Sequence, residues 1–115
     1  MIVKTVGEQS SQIQALALIC RCFPHLPAAH LDVGTVILPT DVVLGININV
    51  HGPQEDFSTW REALTLNGAV STEESLWTEG RILTILECHG TYGGSAVCLR
   101  GFVKTAAPGL HSAAV

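Results

Sequence analysis

The 115-residue chain is 47% hydrophobic and only 14% charged, with ten acidic and six basic residues for a net charge of −4. That balance excludes a disordered chain, which combines low hydrophobicity with high net charge. It also gives no electrostatic footprint for duplex nucleic acid, and no run reaches the roughly 18–20 apolar residues of a membrane span.

Along the chain, Ile13, Leu16, Ala17, Cys20 and Phe23 recur at helical spacing and predict one face of a first helix. Ser10 or Ser11 is placed to cap its start, and Pro24 limits its end. From Ala29 the period changes to two. Leu31, Val33, Thr35 and Ile37 alternate with His30, Asp32, Gly34 and Val36, and Pro39-Thr40 interrupts. Val42, Leu44, Ile46, Ile48 and Val50 then alternate with Val43, Gly45, Asn47, Asn49 and His51, the clearest strand in the chain. Pro53 suits a first helical turn. Glu55 and Asp56 follow where the helix dipole favours carboxylates. Phe57, Trp60, Ala63 and Leu64 form the second helix's apolar face, and Asn67-Gly68 is its expected stop. Residues 69–75 read as a polar connector, residues 76–90 as a strand, and residues 96–103 as its partner across a Gly93-Gly94 turn. The fold class expected is α+β: a two-layer αββαββ unit, with a four-stranded antiparallel sheet and both helices on one face. Residues 1–103 make a single domain, and residues 104–115 a loose tail.

Register arithmetic sharpens this. A turn at Gly93-Gly94 pairs residues whose numbers sum to 187, setting Leu86 against Gly101, Cys88 against Leu99 and Gly90 against Val97. The other face then pairs Glu87 with Arg100, His89 with Cys98, and Ile85 with Phe102. A turn at Pro39-Thr40 gives a sum of 79, setting Leu31 against Ile48 and Val33 against Ile46. Each hairpin gains one apolar face, and a slip of one residue would destroy both. Cys88 is therefore expected in the core, and Cys98 on the outer face, where alkylation should reach it first.

That outer face is the candidate partner-binding or ligand-binding surface. It holds His30, Asp32, Asn47, Asn49, Glu87, His89, Cys98 and Arg100, with Val36, Val43, Ile85 and Phe102 among them. The mixture is too apolar for a solvated face and too polar for a core. A Cys beside a His with a carboxylate is the minimum for nucleophilic catalysis, but a flat sheet supplies no pocket or oxyanion donors. A cross-strand pair beside a surface ion pair is the simpler reading, and no catalytic residue is assigned. Cys20-x-Cys22 points its thiols about 200° apart around a helix, so no zinc site is expected there. Gly90-Thr91-Tyr92-Gly93-Gly94 joins two strands and carries no lysine, so it reads as a turn, not a phosphate loop. No metal and no cofactor are expected.

Leu26-Pro27-Ala28-Ala29, Trp60-Arg61-Glu62-Ala63-Leu64 and Gly90-Thr91-Tyr92-Gly93-Gly94 resemble segments of small uncharacterised proteins of actinobacteria and their prophages, over residues 13–102. The resemblance implies no activity. The function expected is a non-enzymatic interaction module, with a second copy of the chain (a homodimer) or another protein as partner, and neither duplex nucleic acid nor membrane. The alternative is a small-ligand or enzymatic site at the sheet face or a dimer seam. Single-stranded nucleic acid needs exposed aromatics and a basic groove, and Phe102 with Arg100 is a thin provision. With no basic segment leading into an apolar run near Met1, a cytoplasmic location with reduced thiols is expected.

Overall fold

A computed structural model describes residues 5–77 and 80–106. A 3-10 turn at Val6–Gln9, capped by the Thr5 hydroxyl, leads into α1 (Ser10–Cys22). Then come β1 (His30–Ile37), β2 (Val42–His51), α2 (Gln54–Ala63), β3 (Ser71–Leu76), β4 (Arg81–Tyr92) and β5 (Ser95–Ala106).

The sheet has five strands in the order β1-β2-β5-β4-β3. β2 runs parallel to β5, and every other neighbouring pair is antiparallel. The α+β class and the two helices agree with the sequence reading, whereas the four-stranded antiparallel sheet is corrected to a mixed sheet of five. The fifth strand is β3, in the segment read as a connector. Its six residues are all exposed, because it is an edge strand whose Glu73 and Glu74 keep that edge from pairing further. The parallel pair arises because α2, β3 and β4 intervene between β2 and β5. β5 also runs to Ala106, beyond the boundary expected at residue 103, and residues 107–115 of the expected tail lie outside the described residues.

Both hairpin registers are as the arithmetic requires. His89 faces Cys98, Glu87 faces Arg100 and Cys88 faces Leu99, while Leu31 faces Ile48. Gly93 and Gly94 take φ of 58° and 81°, the left-handed values that a two-residue primed turn demands.

The core lies between the helices and one face of the sheet. Ala15, Ile19, Phe57, Trp60 and Leu64 pack on Ile46, Ile48, Val50, Leu86, Cys88, Val97 and Leu99. Trp60 sets its indole N–H on the Pro27 carbonyl at 2.8 Å, tying α2 to the connector after α1. Gly101 lets α2 come close, since a Cβ there would sit 2.9 Å from the Phe57 Cβ.

α1 is turned by one residue from the expected face. Ala15 and Ile19 are buried and Leu16 and Phe23 pack beside them, while Ile13 is 45% exposed and Cys20 and Cys22 both face solvent. Leu16 and Phe23 belong to either stripe. The helix sits so close to the β4–β5 turn that a Cβ on Gly93 would come within 3.4 Å of the Ala15 Cβ, and a small residue meets the turn there. No serine side chain caps α1, whose N-cap is Gln9. α2 stops at Ala63, before Asn67-Gly68, through Thr65 at φ 55°.

Candidate functional site

Both helices pack on one face, so the other face of the sheet carries the candidate residues in cross-strand rows. One row runs His30, Asn49, Arg100, Glu87, and the next Asp32, Asn47, Cys98, His89. Below them Gly34, Gly45, Ala96 and Thr91 form a row of small side chains, and above them His51, Phe102 and Ile85 form an apolar one.

The chemistry concentrates on one oxygen. Glu87 Oε1 accepts from the Cys98 thiol at 3.3 Å and from the Arg100 guanidinium at 3.3 Å. His89 Nε2 is also 3.3 Å from it, close enough for ion pairing but not aligned as a hydrogen bond, so this buried nitrogen lacks a hydrogen-bond partner. Glu87, His89 and Arg100 keep 27%, 29% and 33% of their side-chain surface, whereas Cys98 is 1% exposed. Burial is the largest cause pushing the Cys98 thiol up to about 12. The hydrogen bond to Glu87 adds to it, and the Arg100 charge opposes it. At neutral pH this sulfur is a thiol that keeps its proton and donates it in a hydrogen bond to the carboxylate, and the nucleophile is the thiolate. The cluster is therefore poorly disposed to nucleophilic attack.

Around it, the Asn47 amide donates to the Thr35 carbonyl at 3.1 Å, and Asn49 Oδ1 is buried without a partner. His51 stacks on Phe102 with ring centroids 4.7 Å apart and planes 10° from parallel. These rings, with Gly52, Pro53, Val103 and Lys104, line an open depression of about 440 Å³. The Lys104 ammonium lies 4.2 Å from the Trp77 ring centroid.

The structure brings Glu87, His89, Cys98 and Arg100 together and leaves His30 and Asp32 exposed on β1, three strand spacings or roughly 14 Å from β4. Val43, Asn47, Asn49, Ile85 and Phe102 are half-buried on the same face. Two expectations are corrected. Val36 has no exposed surface, and it packs over Gly45, where a Cβ would fall 2.9 Å from Val36 Cγ2. Cys98 is on the outer face, but its longer neighbours close over it, so it is not the thiol that alkylation reaches first. Cys20 and Cys22 are. His51 and Lys104 were missed as members of the surface. The alternation from Val43 already put His51 on it, and Lys104 follows once β5 is carried past residue 103.

No family model, curated protein or solved structure matches the chain. No helix among the described residues is long and apolar enough to cross a membrane.

Proposed function

We propose that the protein is a non-enzymatic interaction module that docks the helix-free face of its sheet against a second copy of itself. The observation that carries this reading is the make-up of that face. Ile85 and the stacked His51–Phe102 pair form an apolar row that neither α1 nor α2 covers, beside polar rows holding both signs of charge. Asp32 and Glu87 lie on the same surface as Arg100, His30 and His89, so a two-fold axis can set the acids of one copy against the bases of the other. The protonated, enclosed Cys98 thiol weighs against the enzymatic alternative.

Light scattering across a concentration series tests it. The wild type is expected to be dimeric, and Phe102→Asp, which puts a charge in the apolar row, is expected to be monomeric with an unchanged far-UV circular dichroism spectrum. A monomeric wild type overturns the proposal. A dimer that survives Phe102→Asp also does so, in favour of pairing through an edge strand.

A further inference from the structure

We propose that Glu87, His89 and Cys98 form a binding site for one divalent transition-metal ion of the zinc type. The ligand atoms (carboxylate oxygen, imidazole nitrogen and sulfur) all lie within 4.8 Å of one another. The two separations from Glu87 Oε1, to His89 Nε2 and to Cys98 Sγ, are both 3.3 Å. Ligands held at about 2.0–2.3 Å by a tetrahedral zinc ion stand about 3.3–3.6 Å apart, so a small closure of sulfur toward nitrogen completes three corners. Nitrogen, sulfur and oxygen together suit zinc, whereas calcium and magnesium take oxygen alone.

The backbone makes the site rigid. His89 and Cys98 are directly opposed on β4 and β5, and Glu87 is two residues before His89, on the same face. His89 Nε2 is buried with no hydrogen-bond partner, and a bound cation satisfies it. The fourth corner falls to water or to a group from whatever covers the face. The site therefore does not depend on the docking reading.

Binding is an exchange of a proton for the metal. The Cys98 S–H bond breaks, sulfur keeps the electron pair and binds the ion, and the proton goes to solvent. Nothing is oxidised or reduced. One proton is released per ion, so binding strengthens as pH rises. Arg100 rests on the same carboxylate oxygen and opposes the incoming charge, so its removal strengthens binding.

The test uses the full chain carrying Cys20→Ser and Cys22→Ser, which removes the two exposed thiols of α1. Cobalt(II) is added first and then displaced with zinc. The expected result is saturation at one equivalent, with a thiolate-to-cobalt charge-transfer band and the intense visible bands of a four-coordinate ion. Cys98→Ser should abolish the charge-transfer band. His89→Gln should weaken binding by more than about tenfold, the lower end of what even an outer-sphere partner contributes. Arg100→Gln, which leaves all three ligands in place, should tighten it. Absence of the band in the parent, its persistence in Cys98→Ser, or weaker binding in Arg100→Gln overturns the proposal.

Discussion

The two faces of the sheet each enclose a cysteine, and the two thiols are in opposite circumstances. Cys88 lies on the helix-covered face against Leu99, with no exposed surface, and its sulfur is 3.6–3.9 Å from the carbonyl oxygens of Leu66, Gly68 and His89. Cys98, one strand over, is covered by polar side chains and hydrogen-bonded to a carboxylate. Both are buried, yet the first is enclosed by secondary structure and the second only by its neighbours' side chains. The lesson is that burial on the helix-covered face serves stability, while burial on the helix-free face holds a set of polar groups in fixed relation.

The sharpest way to break the comparison is to truncate equivalent side chains on the two faces. Leu99 is fully buried in the helix-covered core, so Leu99→Ala should lower the unfolding free energy by about 3 kcal/mol, within the range for core leucines. Ile85, half-buried on the other face, should cost about 1 kcal/mol when cut to alanine, in line with its smaller loss of buried surface. Urea denaturation of monomeric protein measures both. Equal losses would mean that the helix-free face is a second core.

The next effect is in the pH dependence. The folded protein holds the Cys98 proton up to about 12, whereas an unfolded cysteine releases it near about 8.5. Below the unfolded value both states are protonated and this contribution is fully present. As pH rises, the unfolded chain gains by ionising first, so stability falls progressively until the folded thiol also ionises. In chelator-treated protein the loss should approach about 1.4 kcal/mol per pH unit in that window, and Cys98→Ala should lack this part of the slope. Denaturation curves of the two proteins at several alkaline pH values give the difference, and parallel slopes would refute it.

How much of this was legible in the sequence follows from the range of each determinant. The hairpin registers were, because a turn and an alternation on either side fix every pair, including His89 with Cys98. The parallel β2–β5 pairing was not, since it joins segments about fifty residues apart with no local signature. β3 was missed because Thr72, Glu73 and Glu74 carry no hydrophobic period, as befits an exposed edge. The phase of α1 was off by one residue because Leu16 and Phe23 serve two stripes, and contact with the Gly93 turn decides between them. The grouping of the outer-face residues was readable. That Cys98 is enclosed, and that Cys98, Arg100 and His89 all come to 3.3 Å from Glu87 Oε1, depends on side-chain directions across two strands, which spacing does not encode.

The smallest effect sharpens the comparison from the helix-covered side. α2 ends with the Leu66 N–H on the Arg61 carbonyl and the Thr65 N–H on the Glu62 carbonyl, at 3.0 and 3.1 Å. This paired closure needs a left-handed residue and is usually made with glycine. Here Thr65 takes that role at φ 55°, and its branched Cβ is strained there. The closure seats Leu66, 2% exposed, over Gly90, where a Cβ would lie 2.6 Å from Leu66 Cδ2. Left-handed backbone costs a non-glycine residue about 1–2 kcal/mol, and glycine's extra freedom in the unfolded chain costs about 0.5–1 kcal/mol. Relief of strain outweighs the added chain entropy, so Thr65→Gly should stabilise the protein by about 0.5–1 kcal/mol. Because the change acts only through the helix-covered face, the alkylation rate of Cys98 in native protein should stay as it is. A destabilised variant would show that the Thr65 backbone is not strained, and a faster Cys98 reaction would show that the two faces are coupled through β4 and β5.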